Sequence, residues 1–389
     1  MTLPVLEVLF DFSNGPIFGY SFELGSPDYG VLGTGTLGVA TTDIVDISNQ
    51  VIKVNIRRGY DLLQDQFQAG TATVRVYDPN GDWSPENPAS PYFGKLVPLR
   101  KMRIAADDIF LFSGYTIAYN YTYPKDQEIG FVDIDLVDAF RLFANANITT
   151  ISGGTVGQTT GQRINKLLDA VGWPTSMRDI DTGATTVLAD PGTARTSLNA
   201  IKNIEFCEQG AFYFDPAGKA TFQDRAYIQS KTGVDPTNFA NDGTGIPYFN
   251  VKFAFDDKLI INQCSLTRIG GTLQFYEDLP SIEKYFPHSL SFTDMMFQTD
   301  AQALTIATLY VNTRAETTIR IDALTLDLLI DEPATTEAAL TLDFFDTIYI
   351  KNVAQDGTII EKTLQCMGVT HDITPSSWFT TFTTSEPIA

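Results

Sequence analysis

The first third of the chain alternates apolar and polar residues with a period of two, the pattern of strands that bury one face. The clearest case is residues 71–77, in which alanine and valine alternate with threonine, arginine and tyrosine. Asp78-Pro79-Asn80-Gly81 then predicts a turn, because proline fixes φ and asparagine and glycine tolerate turn conformations. The same alternation predicts further strands at 3–12, 51–56, 99–105, 109–123 and 130–137, with a bulge at Ser113-Gly114.

Over residues 138–255 the pattern changes to mixed helices and strands. A short helix is predicted at 138–145 with Asp138 as its N-cap, and the next helix is capped by Thr159 or Thr160. That second helix carries one apolar stripe, formed by Ile164, Leu167, Leu168 and Val171. A third helix at 195–207 and a hairpin at 211–223 follow.

The last segment, 256–389, returns to strands and includes the longest predicted helix, 297–315. Asp300 lies in the first turn of that helix, where a carboxylate is favourable. Its predicted apolar stripe consists of Leu304, Ala307, Thr308 and Val311. Gly270-Gly271 predicts a hairpin between 259–269 and 272–276. Other strands are predicted at 318–330, 341–350, 359–371 and 378–382.

Residues 13–50 are rich in glycine and aromatic residues and predict a loop or an extended arm that can reach a neighbouring subunit. The run Gly-Thr-Gly-Thr-Leu-Gly at 33–38 has the glycines of a phosphate-binding loop. It lacks the lysine of that motif, and no helix is predicted after it, so an arm is the preferred interpretation.

The charge of the chain narrows the class of partner. Its 389 residues contain 26 lysines and arginines against 47 aspartates and glutamates, a formal net charge of −21. The electrostatic field of so acidic a protein does not attract nucleic acid, and a surface that repels phosphates would let DNA slide past. Simple solubility explains the charge equally well. The 43% hydrophobic content excludes wholesale disorder.

Cys207, Cys264 and Cys366 are widely spaced and odd in number, which predicts buried free thiols and neither a disulfide framework nor a zinc site. No apolar run approaches the roughly 20 residues of a membrane helix. The N-terminus has no basic region and carries early carboxylates, so we expect no signal peptide.

Two short motifs are candidate binding sites. Arg57-Arg58-Gly59 follows a predicted strand and is interpreted either as a pair for carboxylates across an interface or as a solvated strand end. Asp78, Asn80 and Asp82 have the alternate spacing of a calcium loop. Trp83 and Ala89 stand where that loop needs glycine and a bidentate glutamate, so a turn held by Trp83, Tyr92 and Phe93 is preferred.

The sequence carries no catalytic signature. The two histidines, His288 and His371, lie in no metal-binding motif, and Cys366 and His371 are expected on opposite faces of one strand. The acidic pair Asp256-Asp257 is interpreted as a solvated turn, and the 12% aromatic residues as core and interface packing. We therefore predict no catalytic, cofactor-binding or metal-binding residues.

Several segments in order resemble minor tail proteins of long-tailed bacteriophages. The first is residues 65–94, in which a strand runs into the loop Asp82–Asn87, followed by PLRKMRI at 98–104 and LFSGY at 111–115. The resemblance covers most of the chain after residue 50, but residues 13–50 poorly. The later matching segments are 137–140, 161–174, 178–181, 210–225 and 373–382.

The resemblance implies a baseplate or tail-tip hub protein. Its fold would be β-rich and multidomain (α+β), with two tube-like β-barrel domains and a smaller mixed α/β domain between them. The corresponding domains are 1–137, 138–255 and 256–389. Three copies would continue a six-fold tail tube, since each gives two barrels, and would line a channel through which genomic DNA passes without specific binding.

The resemblance also implies the partners and the location. Expected partners are further copies of the chain, the tail tube or distal tail protein, the tape-measure protein, and tip, fibre or receptor-binding proteins. The protein would lie at the tail tip of the virion after assembly in the host cytoplasm. Alternatives are a hexameric distal tail ring, a receptor- or glycan-binding module, and a cell-wall hydrolase.

Overall fold

The structure is a computed structural model that describes residues 3–13, 15–18, 44–61, 66–123, 130–330 and 333–387. The glycine run at 33–38 and most of the predicted arm at 13–50 lie outside the described residues.

The first part of the chain is a run of strands, as predicted. The strand expected at 51–56 continues through both arginines. The expected bulge at Ser113-Gly114 is absent; the register of β6 shifts at Leu111 against β5 and between Thr116 and Ala118 against β7. The strands are β1 (Leu6–Asp11), β2 (Ile44–Asp46), β3 (Val51–Asp61), β4 (Gln66–Tyr77), β5 (Lys101–Ala106), β6 (Ile109–Thr122) and β7 (Phe131–Val137).

The middle of the chain mixes short strands and helices. Thr159, not Thr160, caps the second helix, in a capping box with Gln162, and the predicted stripe buries Ile164, Leu167 and Leu168. The elements are α1 (Phe140–Asn145), β8 (Asn147–Ile148), β9 (Gln158–Thr159), α2 (Thr160–Ala170), β10 (Arg178–Ile180), β11 (Thr186–Val187), β12 (Arg195–Thr196), α3 (Ser197–Glu208), β13 (Ala211–Phe214), β14 (Ala220–Gln223), α4 (Arg225–Ser230), β15 (Thr237–Ala240) and β16 (Asn250–Ala254).

The last part contains the predicted hairpin around Gly270 and two helices that the sequence did not predict, α5 and α7. The prediction of a strand at 341–350 is wrong at its start, because α7 ends at Thr341 and β21 begins only at Thr347. The elements are β17 (Gln263–Arg268), β18 (Gln274–Glu277), α5 (Leu279–Tyr285), β19 (Ser289–Met295), α6 (Asp300–Arg314), β20 (Arg320–Asp327), α7 (Ala334–Thr341), β21 (Thr347–Val353), β22 (Ile359–Thr374) and β23 (Ser377–Ser385).

The longest described helix, α6, buries a face slightly different from the predicted stripe. Ala307 and Val311 are buried as expected, but Leu304 is 39% exposed. The buried face is completed by Ala303, Ile306 and Tyr310. The helix packs on β17 and β18 of the small sheet, and the Tyr310 ring stacks on Phe206 of α3 at a centroid distance of 5.5 Å. The larger side chains Ile306 and Tyr310 therefore set the rotation of the helix.

One 13-stranded sheet joins the two ends of the chain. Its main path runs β16-β20-β23-β22-β3-β4-β7-β6-β5-β1-β2, and β15 and β21 attach through β22. The union is the antiparallel pairing of β3 with β22, in which Ile56 faces His371. The β-rich fold with two sets of strands around a mixed middle is thereby confirmed, while the domain boundaries at 137 and 255 stay a prediction.

Two glycines lie where β3 crosses β22. Gly59 has a φ of 138°, and a Cβ on it would lie 2.3 Å from the Cα of Gly368. Both strands shift register here, between Arg57 and Gly59 on one and between Cys366 and Gly368 on the other. A side chain at position 59 would not permit this close approach.

The middle segment packs on one face of the sheet through aromatic rings. Phe140 and Phe143 of α1 contact Phe214 of β13 at ring-centroid distances of 5.4 and 5.6 Å. Phe67 of β4 contacts Tyr213 of β13 at 5.3 Å and Phe344, in the loop before β21, at 5.0 Å. This face of the sheet is therefore the core, and its side chains are covered from both ends of the chain.

Candidate functional site

The opposite face of the sheet is polar and continuous across both ends of the chain. Every second residue points away from the core, as in β23, where Phe379, Thr381 and Thr383 are half-buried and their neighbours are buried. We call the outward side chains the polar face. Its members are Asn250, Lys252, Thr325, Asp327, Phe379, Thr381, Thr383, Thr370, Asp372, Lys53, Asn55, Arg57, Thr71, Thr73, Arg75, Asp133, Asp135 and Asn120.

Strand register aligns these side chains into rows that cross the union of β3 and β22. Thr381 lies opposite Thr370, which lies opposite Arg57, which lies opposite Thr71. The row continues to Thr325, whose hydroxyl is 2.9 Å from that of Thr381. Side chains from the two ends of the sequence thus form one surface, because neighbouring strands place facing residues about 5 Å apart.

The second row carries two carboxylates, one held by neutral donors and the other by a lysine ammonium. Asp135 accepts hydrogen bonds from the Thr73 hydroxyl at 2.9 Å and from the Asn120 amide at 2.7 Å. Asp372 lies 3.3 Å from the ammonium of Lys53. These groups are oriented by the sheet itself, so the surface is fixed in place before any partner arrives.

The third row holds a bidentate ion pair between Arg75 and Asp133, with both N–H···O distances at 2.7 Å. The hydrogen bond and the charge of Asp133 raise the pKa of Arg75 above its ordinary value. Since the pair is largely exposed, it contributes little to stability, and its main effect is to orient the two side chains.

The polar face is balanced in charge although the chain is strongly acidic. Its cations are Lys53, Arg57, Arg75 and Lys252, and its carboxylates are Asp133, Asp135, Asp327 and Asp372. The excess of −21 therefore resides elsewhere on the molecule. Hydroxyl groups without net charge offer phosphates neither a strong attraction nor a strong repulsion.

The adjacent arginines of the predicted pair point to opposite sides. Arg57 is exposed on the polar face, whereas Arg58 is buried and donates to both carboxylate oxygens of Asp343, at 3.2 and 3.4 Å. Its guanidinium also lies 4.7 Å from the ring centre of Phe344. The strand-end interpretation is wrong, because β3 continues to Asp61; the carboxylate that pairs with Arg58 belongs to the same chain.

Next to Arg58 lies a buried carboxylate that the sequence suggested only as a helix cap. Asp138 accepts hydrogen bonds from the backbone N–H of Gly70 at 2.6 Å and of Phe140 at 2.9 Å. Burial raises its pKa to about 7, and the two N–H donors and the cations of Arg58 and Lys202 offset only part of that rise. Asp138 therefore links β4 to the start of α1.

Aromatic packing holds the loop after β4, as predicted for Trp83 and Tyr92 but not for Phe93. Trp83 and Tyr92 are buried with ring centres 4.8 Å apart, but Phe93 is 52% exposed. Asp78 accepts hydrogen bonds from the backbone N–H of Asp82 and from the Tyr123 hydroxyl. Among the residues that the structure describes, no group of three or more His, Cys, Asp or Glu could hold a metal ion.

The three cysteines are buried and free, as predicted. Burial lowers the pKa of His371 to about 3, and its Nδ1 lies 3.0 Å from the Thr380 hydroxyl. The expectation that Cys366 and His371 lie on opposite faces is wrong, because the bulge places their partners Thr384 and Thr380 on one face. Four residues of β23 still separate them by about 13 Å, too far to interact.

The remaining predicted residues lie in surface turns. Asp256 accepts a hydrogen bond from Arg320 at 3.1 Å, and this contact lowers its pKa to about 2, so Asp256 is ion-paired and not merely solvated. Asp257 is exposed, and His288 is hydrogen-bonded to Asn262 and Tyr285. Within the described ranges, no helix is long and apolar enough to cross a membrane.

The polar face itself was missed by the sequence reasoning, which treated each strand separately. Its signal was present in the threonines that alternate with buried residues in β4, β22 and β23. What the alternation could not indicate is that strands some 300 residues apart would share one surface, because register between distant strands is set only by the folded core.

Comparison with protein-family profiles gives no match, and comparison with curated protein sequences gives none either. Solved structures are similar in fold. The 43 kDa tail protein of prophage MuSo2 from Shewanella oneidensis has a TM-score of 0.60 at 13% identity, covering 88% of this chain and 96% of that one. A tail protein from Neisseria meningitidis MC58 has a TM-score of 0.59 at 10% identity, covering 98% and 96%.

A third similar structure is the prophage tail protein gp18 from Listeria monocytogenes EGD-e. Its TM-score is 0.51 at 9% identity, and the alignment covers 98% of this chain and 95% of that one. At such identities the likeness concerns the fold, and it extends over nearly the whole length of each chain. The described chain therefore has the fold of prophage tail proteins.

Proposed function

We propose that this chain is a structural protein of a phage tail tip, a hub that continues the tail tube and lines the DNA channel with its polar face. The observation that carries the proposal is the continuity of that face across the β3–β22 union. The shared fold with prophage tail proteins supports the same assignment. The role is architectural and involves no catalysis.

The charge balance of the polar face suits a passage for DNA. A basic surface would hold the phosphates, since each contact releases counterions and adds affinity. The carboxylates of Asp133 and Asp372 instead neutralise Arg75 and Lys53 at close range. A duplex beside this face would meet hydroxyl and amide groups together with charges that balance one another, and would slide.

Both ends of the polar face are open strand edges. At one end β16 pairs only with β20 among the described strands. At the other end the second half of β6, residues 117–122, pairs only with β7, since β5 covers residues 109–115. Unpaired edges are templates for further strands, and head-to-tail pairing of unlike edges generates rings.

The number of strands favours three copies. Each copy supplies eight strands to the polar face: β16, β20, β23, β22, β3, β4, β7 and β6. Eight strands in a ring enclose only side chains. With neighbours about 4.8 Å apart, a ring of about 24 strands has a circumference of about 115 Å and a diameter of about 37 Å before strand tilt widens it, enough for a duplex.

The proposal implies definite neighbours in the particle. A trimeric ring would stack on the tail tube or the distal tail protein, receive the tape-measure protein in its lumen, and carry tip, fibre or receptor-binding proteins outside. Its place is the tail tip of the virion, after assembly in the host cytoplasm.

Imaging of tails that contain this chain tests the assignment. We expect three copies around the axis, with the polar faces toward the lumen and eight strands from each copy in the inner wall. Six copies, each giving a single set of strands, would indicate a distal tail ring. Copies found only off the axis would overturn the proposal and favour a receptor- or glycan-binding module.

A further inference from the structure

The turn that follows β4 contains an asparagine–glycine pair, Asn80-Gly81, that lies at the surface. Asn80 is exposed, and its side-chain amide makes one long contact, of 3.5 Å, with the Asp82 carboxylate. A hydrogen bond of that length restrains a side chain only weakly. The amide carbon of Asn80, Cγ, is therefore able to approach the next nitrogen of the backbone.

That nitrogen, in Gly81, is also unrestrained. Its N–H donates to no acceptor among the residues that the structure describes. The Gly81 carbonyl, by contrast, accepts hydrogen bonds from the Ser84 N–H at 3.2 Å and from the Asn87 amide at 2.9 Å. Beyond the chain neighbours, a Cβ at position 81 would have only Asn87 Nδ2 within 4 Å. Because glycine has no side chain of its own, nothing shields this nitrogen.

We propose that Asn80 is a site of spontaneous deamidation in the folded protein. The Gly81 nitrogen loses its proton and attacks Asn80 Cγ, the new N–C bond closes a cyclic imide, and the side-chain nitrogen leaves as ammonia. Water then opens the ring at either carbonyl, which gives aspartate or isoaspartate at position 80. The reaction needs no oxidant, reductant or enzyme, and it does not depend on the hub assignment.

Two other exposed pairs, Asp242-Gly243 and Asp356-Gly357, should form the same imide more slowly because their side chains are held. Their glycines have φ values of 82° and 85°, close to the 69° at position 81. Hydrogen bonds from Lys351 and Thr244 lower the pKa of the Asp242 carboxyl to about 2. The Thr358 N–H likewise lowers the pKa of the Asp356 carboxyl. Both groups are therefore ionised at neutral pH, and an ionised carboxylate is a poor electrophile.

Isoaspartate at position 80 would weaken the loop that follows β4. It adds a methylene group to the backbone just before Gly81 and shifts the N–H of Asp82. That N–H donates to the Asp78 carboxylate at 2.7 Å, and the same carboxylate accepts the Tyr123 hydroxyl at 2.8 Å. The modification therefore acts on the contact that joins this loop to the end of β6.

Peptide mapping of the full folded chain, after incubation at mildly alkaline pH, locates the reaction. Trypsin releases residues 76–95 as one peptide. Its other asparagine, Asn87, precedes a proline and cannot form the imide, because proline has no backbone N–H. An amide-to-acid mass change in this peptide therefore reports Asn80, and labelling with isoaspartyl methyltransferase reports isoaspartate at positions 80, 242 and 356.

The same incubation in urea gives the rate of each pair in the unfolded chain and so removes differences in intrinsic reactivity. We expect folding to slow the reaction at Asn80 by less than about tenfold, because an exposed turn opens at little cost, and the reaction at Asp242 and Asp356 by more. If folding slows Asn80 by more than that, or by as much as it slows the two aspartates, the proposal is overturned.

Two substitutions give matched variants of the folded chain. Asn80→Gln keeps an amide at the same exposed position but needs a larger ring, so it should abolish the mass change in the peptide 76–95. Asn312→Gln, at an exposed position of α6, should leave that change as fast as in the wild type. After equal incubation, the wild type should unfold at a lower urea concentration than Asn80→Gln. Identical midpoints would overturn the predicted weakening of the loop.

Discussion

At the scale of single residues, the crossing of β3 and β22 depends on two glycines. The Cβ of an alanine at 59 would lie 2.3 Å from the Gly368 Cα, whereas one at 368 would lie 3.1 Å from the Arg58 carbonyl oxygen. The first contact is impossible without backbone movement, and the second needs only a small adjustment. The two positions are therefore unequal although they face each other.

Gly59→Ala should lower the free energy of unfolding by about 3 kcal/mol or more, because a positive φ and a backbone clash coincide. Gly368→Ala should cost about 1 kcal/mol. Gly94→Ala is the matched control, since its φ is 74° but the space around it is open. Urea denaturation measures the free energy of unfolding of all three variants. If Gly59→Ala is as stable as Gly94→Ala, the close approach at position 59 is contradicted.

Asp138 predicts a pH dependence. Its folded pKa of about 7 lies above the ordinary value of 3.8, so in the window between them the native state holds a proton that the unfolded state has lost. Stability from this group is complete below the unfolded value and is lost as pH rises through the folded pKa. Arg58 and Lys202 are the charged groups that face it.

The test compares the wild-type chain with Asp138→Asn, which cannot titrate. From pH 5 to pH 8 the wild type should lose about 2–3 kcal/mol relative to the variant. Denaturation curves at intervals of one pH unit measure this difference. A difference that does not change with pH would mean that the carboxylate ionises at its ordinary value in the folded protein.

Residue-scale reasoning from sequence identified Arg58 and Asp138 but not their partners. The prediction that Asp138 is the N-cap of α1 is wrong by one residue, because the N-cap is Ala139. Asp138 instead accepts the Phe140 N–H and the Gly70 N–H from β4. Asp343 lies 285 residues from Arg58. Local patterns predict which residues are polar and which are buried, whereas the distant partner is determined by how the strands pair.

At the scale of elements, the edge strand β16 is flanked by exposed aromatic side chains. Phe249 is 61% exposed and Phe255 is 70% exposed. An open edge with apolar flanks is an association site unless another strand or element covers it. In the proposed ring, the β6 edge of the next copy provides that cover.

Phe255→Asp should leave the single chain folded and weaken ring formation at least tenfold, because a charge at an edge opposes strand pairing. Phe286→Asp is the matched control, since Phe286 is 78% exposed at the end of α5, away from this edge. Sedimentation of both variants with tail-tube protein measures assembly. If both variants assemble equally well, β16 does not form the contact between neighbouring copies.

Strands were predicted better than short helices. The alternation over residues 71–77 gave a correct strand, since β4 buries every second residue there. The turn at 215–218 gave the hairpin at 211–223, whose two strands are buried on both faces. The helix α7 was missed because its alanines and threonines have no clear stripe. The small alanine side chains of α6 are compatible with two rotations of the helix about its axis. Burial of Ile306 and Tyr310 selects the rotation that the predicted stripe did not indicate.

At the scale of the whole molecule, the separation of charge is the main feature. The polar face is balanced while the rest of the chain carries the acidic excess. This distribution keeps the protein soluble and directs the repulsion of phosphates to surfaces outside the proposed lumen. Composition left open whether the acidic residues face DNA or only keep the protein soluble, whereas the folded arrangement gives a polar face without net charge.

Two lysines on the polar face should convert it into a DNA-binding surface. Thr370→Lys with Thr381→Lys should bind double-stranded DNA at low salt with an affinity that falls steeply as salt rises, and the wild type should not bind. Ala301→Lys with Thr305→Lys adds the same charge on the exposed side of α6 as a control. Electrophoretic mobility shifts measure DNA binding. If both variants bind equally well, binding depends on the added net charge and not on its position on the polar face.

The union of β3 with β22 also bears on how the protein is made. A ribosome releases β3 some 300 residues before its partner strand exists, so the growing chain carries an uncovered sheet edge for most of its synthesis. Contacts so distant in sequence form slowly, because a long loop must close first. We therefore expect the nascent chain to need chaperone protection, and chains whose translation stops early to aggregate through this uncovered edge.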